Sequence, residues 1–260
     1  MRRIITFDFD MTLFDHATWS IPESASEAIR ALKENGNLPV LATGRDMDNY
    51  YSRPLLKLIE MDARIEQNGT KIIADGKTLL NHRMDRGLLK RMIDYCRAMH
   101  YGFGFTIGNE DYYVSEDVIC AYDMKRWGKS ERNFRDPEKM LSMDVRTAIF
   151  YGSPELIRDM QEHFPEVKLR PFANFCGADL MEREFSKAGG LEILCRYYHI
   201  DPKDTVSFGD SMNDLEILKA AGTGIAMGNA CDELKEAADY VTTPIDRDGI
   251  LNACRHFKLI

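Results

Sequence analysis

Ile4-Ile5-Thr6-Phe7-Asp8-Phe9-Asp10-Met11-Thr12 is an apolar run that ends in two carboxylates and a hydroxyl. The run reads as a short buried strand, and a buried strand that terminates in acids is spending stability on chemistry. Burying unpaired carboxylates costs several kcal/mol or forces them to take up protons, so Asp8 and Asp10 are expected to share a cation that keeps both ionised. Oxygen-only ligands suit Mg²⁺, a hard octahedral ion that takes one or two protein carboxylates and leaves room for phosphate oxygens and water. One of the two acids is then placed to attack phosphorus. The bland alternative, that either acid caps a helix or closes the strand, has to be judged on the rest of the chain.

Working outward, residues 3 to about 70 alternate short apolar runs with helical periods, as βαβ units do. Ser20-Ile21-Pro22-Glu23 has the spacing of a capping box, and Ala25, Ala28, Ile29 and Leu32 form one apolar face that ends near Asn35-Gly36. Leu38–Ala42 reads as a second strand running into Thr43-Gly44-Arg45, a helix is predicted from Asp46, and 63–66 reads as a third strand ending at Asn68-Gly69. The same rhythm returns late, with a helix over roughly 188–198 and a strand at Thr205–Phe208 ending in Gly209-Asp210. A helix carrying Leu215, Ile217 and Leu218 follows, then strands at 223–227 and 239–242 and a last helix at 247–257. Between these halves the texture changes. A hairpin turning at Asp75-Gly76 is followed by a helix at about 85–99, aromatic-rich strands near 103–107 and 111–115 and a helical stretch near 116–126. Strands at 145–151, 167–170 and 178–182, with a helix begun by Ser153-Pro154-Glu155, complete it. The expected architecture is an α/β core, a Rossmann-like doubly wound parallel sheet built from 1–81 and 184–260, with 82–183 inserted as an α+β domain.

At 260 residues the chain has ample length for one large or two modest cores. Its 42 acidic and 34 basic residues give a formal charge of −8, which excludes the broad positive field of a nucleic-acid or anionic-membrane binder. The six cysteines, at 96, 120, 176, 195, 231 and 254, have no zinc-like spacing and are expected to be reduced. The amino-terminal apolar run breaks at Asp8 before a signal-peptide core forms, and no stretch approaches the ~18–20 apolar residues of a membrane span, so the cytoplasm is the expected compartment. The Asn68-Gly69-Thr70 sequon is accidental on that reading. Gly222-x-Gly224 followed by Gly228 imitates a dinucleotide fingerprint, but the last glycine is one position late and the flanking elements are wrong.

In open parallel sheets, ligands bind beyond the carboxyl ends of the strands. Three strands here end in polar punctuation: Asp8-x-Asp10-x-Thr12, Thr43-Gly44-Arg45 and Gly209-Asp210-Ser211-Met212-Asn213-Asp214. Converging, they supply acids for a metal, hydroxyls and helix-start amides for phosphate oxygens. With Lys187 in Ser186-Lys187-Ala188-Gly189-Gly190, these four motifs resemble those of the haloacid dehalogenase (HAD) superfamily, most closely Cof-type phosphatases with a large α/β cap. Asn68-Gly69, Met227-Gly228-Asn229-Ala230 and Asp246-x-Asp248-Gly249 resemble further landmarks of that group.

The resemblance implies that Asp8 is the nucleophile, forming an aspartyl-phosphate, and that Asp10 protonates the leaving alcohol and then deprotonates water. It also implies that Mg²⁺ is held by Asp8, the main-chain carbonyl of Asp10 and Asp210, with Asp214 beside these ligands. Thr12, Thr43, Gly44, Arg45, Lys187 and Asn213 are the implied phosphate contacts. The substrate is a small phosphate ester, sugar phosphates first, and the assembly a monomer or small homo-oligomer. A non-catalytic phospho-ligand sensor and a phosphomutase are the alternatives. Taken singly, Lys187 reads as a solvated helix-start lysine, Thr43 as a helix cap and Asp214 as a helix-start charge; the order of the motifs argues against leaving them there. Met11 stands where the superfamily usually has glycine, and Ser-Lys-Ala-Gly replaces its common Lys-Gly pairing. Arg170, Asn174 and Asp179 are candidate cap contacts. Tyr112, Tyr113, Trp127, Phe172 and Phe175 are expected to pack in the cap core, and the six histidines lie outside every motif.

Overall fold

A computed structural model describes residues 2–172 and 176–260. The chain divides into two compact units, one made of Met1–Asp48, Ser52–Asn81 and Phe185–Ile260, the other of Asn49–Tyr51 and His82–Glu184. In chain order the first unit contributes β1 (Ile4–Phe7), α1 (Glu23–Glu34), β2 (Leu38–Ala42), β3 (Ala63–Glu66), β4 (Lys71–Ala74) and β5 (Lys77–Asn81). The second follows with α2 (Arg86–Met99), β6 (Gly102–Ile107), β7 (Glu110–Val114), α3 (Glu116–Trp127), β8 (Ala148–Tyr151), α4 (Pro154–His163), β9 (Val167–Pro171) and β10 (Gly177–Glu182). The chain then completes the first unit with α5 (Lys187–Tyr198), β11 (Thr205–Gly209), α6 (Leu215–Ala220), β12 (Thr223–Ala226), α7 (Asp232–Ala237), β13 (Tyr240–Val241) and α8 (Gly249–His256).

The sheet of the first unit has the order β13-β12-β11-β1-β2-β3-β4-β5, parallel from β13 to β3 and antiparallel through the β4–β5 hairpin. Alternation along β1 shows how it is doubly wound. Ile5 and Phe7 face a layer containing Ala28, Ile29 and Leu32 of α1 and Ile250 and Cys254 of α8, whereas Ile4 faces Leu191 and Leu194 of α5 and Ile217 of α6. Both faces of the strand are dry, which is why its sequence is nearly all apolar. The order reverses at β1, flanked by β2 and β11, and this switch point opens the crevice in which such sheets bind ligands.

The second unit is an antiparallel sheet of order β7-β6-β8-β10-β9. Helices α2 and α4 cover one face, with Leu89, Met92, Ile93 and Met160 packed on Phe103, Phe150 and Leu180. Ile119 of α3 packs with Tyr113 and Tyr151 in a separate cluster. All six cysteines are free, and no helix among the described residues is long and apolar enough to cross a membrane.

Three local expectations fail for identifiable reasons. No α-helix starts at Asp46: the Asp46 and Asn49 side chains accept from the amides of Asp48 and Tyr51, and these turns lead into a short 3₁₀ helix at Arg53–Lys57 that opens on Pro54. No capping box forms at Ser20, because α1 is preceded by Pro22 and Ser20 instead bridges back to Asp15. Trp127, the last residue of α3, is 64% exposed rather than packed, although Tyr112 and Tyr113 are buried. Asn174 and Phe175 lie outside the described residues.

Candidate active site

Parallel register gathers the motifs. Phe7 pairs with Leu41 of β2 on one side and Phe208 of β11 on the other, and the Asp8 amide donates to Phe208 O at 3.0 Å. Asp8, Thr43 and Asp210 therefore leave their strands at one edge. Lys187 arrives from the first turn of α5, whose N-cap Ser186 accepts from the Gly189 amide. Gly69 makes that approach possible, since a Cβ on it would lie 2.0 Å from Ser186 O and its φ is +96°.

Lys187 is 1% exposed, the opposite of a solvated helix-start lysine. Its Nζ donates to Asp8 Oδ1 at 2.5 Å and to Asp214 Oδ1 at 2.6 Å. The other Asp214 oxygen accepts from the amides of Asp210 and Ser211 at 3.1 and 3.2 Å. Gly209 allows this fold-back, because a Cβ there would sit 2.4 Å from the Asp214 Cβ. Thr12 Oγ1 donates to Asp210 Oδ1 at 2.9 Å. Carboxylate oxygens of Asp8, Asp210 and Asp214 all lie within 4.8 Å of one another.

Three acids thus share one ammonium. Burial pushes the Asp8 carboxyl well above its ordinary value; Lys187 opposes this, while Asp214 and Asp210 reinforce it. Burial and then the Asp214 charge push Asp210 up to about 7. Burial acts to lower the Lys187 ammonium, but its two carboxylate partners outweigh that and raise it. Oxygen-only donors, gathered this closely and short of positive charge, fit a hard divalent cation. Both Asp214 oxygens are already engaged, which leaves Asp8 and Asp210 as the carboxylates open to such an ion.

The Asp10 carboxylate lies apart from that trio. Arg45 grips it through Nε to Oδ2 at 2.7 Å and Nη2 to Oδ1 at 2.6 Å, and His16 Nε2 lies 2.6 Å from the same Oδ1. Burial acts to raise this carboxyl, but the Arg45 bonds and charge, with His16, hold it below its usual value. Arg45, implied as a phosphate contact, here spends two of its donors on Asp10 and packs over the Phe9 ring at 5.5 Å. Thr43 is buried and its Oγ1 accepts the Arg45 amide at 3.0 Å, so it caps the turn where a helix was expected. Gly44 lies against Asn68, and Asn213 Oδ1 accepts from Ser211 Oγ at 2.6 Å.

Met11 adopts the conformation that a glycine would favour, with φ at 59°, at a cost of about 1–2 kcal/mol for a side-chain-bearing residue. Its carbonyl accepts from Asn229 Nδ2 at 2.8 Å, and Asn229 Oδ1 accepts from the Ile245 amide at 2.9 Å. The loop thereby keeps its course without the glycine. In the second unit, Arg170 and Asp179 are register partners on β9 and β10, on neither of the positions that feed the α2–α4 layer.

One residue at the site escaped the sequence, and a second was marked only as part of the Asn68-Gly69 landmark. His16 belongs to no motif and reaches Asp10 only because the chain turns back between Asp15 and Ser20. Asn68 is buried with φ at 54°, and its amide oxygen and nitrogen have no partner among the described residues, against the general pairing of buried polar groups. Its Asn-Gly pair was the available signal.

A sequence model of haloacid dehalogenase-like hydrolases matches residues 5–254. A Haemophilus influenzae protein named as an inferred phosphatase is 36% identical over 269 residues, covering 96% of each chain. YkrA of Bacillus subtilis, also named as an inferred phosphatase, is 27% identical over 268 residues, covering 99% of this chain and 98% of its own. The solved structure of the HAD subclass IIB sugar phosphatase BT4131 superposes with a TM-score of 0.84 at 26% identity, covering 99% of this chain and 100% of that one.

Proposed function

The chain belongs to the haloacid dehalogenase-like hydrolases and is a phosphatase among them, and on that premise we propose that it hydrolyses small phosphate monoesters, sugar phosphates first, with Mg²⁺ and through an aspartyl-phosphate on Asp8. The observation that carries this reading is the buried Asp8–Lys187–Asp214 arrangement with Asp210 alongside. A nucleophilic carboxylate needs one oxygen free and a fixed direction of attack, and Lys187 holds Asp8 by Oδ1 alone.

In the first displacement Asp10, having taken up a proton from solvent, passes it to the departing oxygen as an Asp8 oxygen bonds to phosphorus and the ester P–O bond breaks. In the second, water gives its proton to Asp10 as its oxygen bonds to phosphorus and the bond to Asp8 breaks. Lys187, the Thr43 hydroxyl and the Gly44 amide serve the phosphoryl oxygens, the Thr12 hydroxyl joins them on turning away from Asp210, Arg45 orients Asp10, and Asp214 holds Lys187 in place. Asp8, Asp210 and the Asp10 main-chain carbonyl would hold a divalent cation, which would supply charge neutralisation at the phosphoryl group. The sugar-phosphate preference follows the likeness to the sugar phosphatase BT4131, and the second unit, as the cap, selects the leaving group.

With Mg²⁺ the purified protein is expected to release phosphate from p-nitrophenyl phosphate and from members of a sugar-phosphate panel. Asp8→Asn is expected to cut turnover by on the order of 10³-fold or more while leaving circular dichroism unchanged. Undiminished turnover in that variant overturns the assignment of the nucleophile.

A further inference from the structure

Asp10 meets three donors on two oxygens, and they are unequally shared. Oδ1 takes Arg45 Nη2 and His16 Nε2, each at 2.6 Å, whereas Oδ2 takes only Arg45 Nε at 2.7 Å. A carboxylate oxygen offers two acceptor positions, so among the described residues Oδ1 is filled and one position stays open, on Oδ2. We infer that His16 is a positioning residue that blocks Oδ1 and thereby makes Oδ2 the Asp10 oxygen that exchanges protons with the leaving group and with water.

The loop is built to hold the imidazole in that position. The His16 ring stacks on Trp19 at 6.0 Å and 11° between planes, and meets the edge of Phe14 at 5.8 Å. Phe14 is buried and tied back by its amide to Phe9 O at 2.7 Å, and the Phe14 ring stacks on Phe9 at 5.2 Å. Asp15 pairs with Ser20 through its amide at 2.9 Å and accepts the Ala17 amide on its side chain at 2.8 Å, which closes the turn. His16 is 45% exposed and Trp19 74%, so the closed turn and the buried Phe14 ring, rather than burial of the imidazole, set its position. Arg45 alone fixes the plane of the Asp10 carboxylate but leaves an acceptor position on each oxygen, so the choice between them falls to His16.

This inference rests on the acid–base role of Asp10 proposed above, where the proton on Oδ2 passes to the departing oxygen as the ester bond breaks and is regained from water as the Asp8–phosphorus bond breaks. The discriminating quantity is the ratio of kcat/KM for a hexose phosphate, whose alkoxide needs a proton, to that for p-nitrophenyl phosphate, whose leaving group hardly does. General acid catalysis contributes roughly 10²–10⁴-fold, so a misdirected proton in His16→Ala is expected to lower the ratio by about tenfold or more. His16→Gln, which restores an N–H donor to Oδ1, is expected to recover most of it. A purely structural loss lowers both esters together and leaves the ratio flat. A flat ratio in His16→Ala, or no recovery in His16→Gln, overturns the inference, whereas a wild-type protein that turns over neither ester counts against the phosphatase chemistry itself.

Discussion

In the first unit Lys187 lies between Asp8 and Asp214, with Asp210 alongside; in the second, Arg132 lies between Asp111 and Asp123. Both clusters are buried and both hold more acid than base, yet Asp8 and Asp210 are pushed up whereas Asp123 is held down. Asp123 takes two bonds from Arg132, at 2.7 and 2.8 Å, and one from Ser130 Oγ at 3.1 Å, and the Arg132 bonds hold it below its usual value in spite of burial. Asp111 takes Thr106 Oγ1 at 2.7 Å, the Asn133 amide at 2.8 Å and Arg132 Nη1 at 3.2 Å. Asp8, by contrast, has Lys187 as its one side-chain donor among the described residues, and Asp210 has Thr12. The number of donors per acid, rather than depth alone, decides the sign. A cluster whose acceptors are filled is a fastening, and one left short of donors and of positive charge has somewhere for a cation and a phosphoryl group to go.

The sharpest way to break this contrast is to remove each cation in turn. Lys187→Met is expected to lower turnover of p-nitrophenyl phosphate by on the order of 10³-fold, since it removes both the clamp on Asp8 and a charge from the proposed phosphoryl pocket. Its denaturant midpoint should fall more at pH 8 than at pH 5.5, where the orphaned acids can take up protons. Arg132→Met should reverse that ranking. Breaking a buried pair that leaves its acid unpaired costs about 3–5 kcal/mol, read from urea unfolding, while kcat/KM for p-nitrophenyl phosphate per folded molecule should stay within about threefold. A loss of turnover as deep as that of Lys187→Met would erase the distinction between fastening and site.

The smallest expected effect sharpens the comparison through pH. A folded carboxyl raised to about 7, as at Asp210, binds protons that the unfolded chain has released, so its contribution to stability is present at acid pH and fades as pH rises towards 7. Asp123, held low, contributes in the other sense: its stabilisation is present above the ordinary carboxylate range and is lost as pH falls through the lowered value. Metal-free protein should therefore melt lower at pH 8 than at pH 5.5 by a few degrees, with Mg²⁺ lifting the melting temperature mainly at pH 8. An equal lift at both pH values would mean that the ion binds somewhere other than the acid trio.

Much of the fold was legible because it depends on pattern and punctuation. Short apolar runs marked β1, β2 and β11, the Ala25-Ala28-Ile29-Leu32 face marked α1, and Asp75-Gly76, both with positive φ, marked the β4–β5 turn. The readings that failed share a cause: several local solutions suited the same residues, and the chain adopts a different one from that which the pattern favoured. At Asp46 the side chains satisfied the backbone as turns instead of a helix. At Trp127 an aromatic residue ended a helix whose buried residues are Ile119 and Asp123, leaving the ring to solvent.

The sequence by itself determined the order of the strands and most of the helices, the four motifs at three strand ends and one helix start, and the chemical types that a phosphoryl group and a hard cation require, because these are carried by residue identity and spacing along a single element. Tertiary structure alone decided that Lys187 is dry and shared between Asp8 and Asp214, that Asp10 turns to Arg45 and His16 rather than to the acid trio, and that Met11 keeps a glycine's backbone. Those outcomes depend on which side chains, up to 218 positions apart in the chain, come within hydrogen-bonding distance. No local propensity encodes that distance; only the packed sheet does.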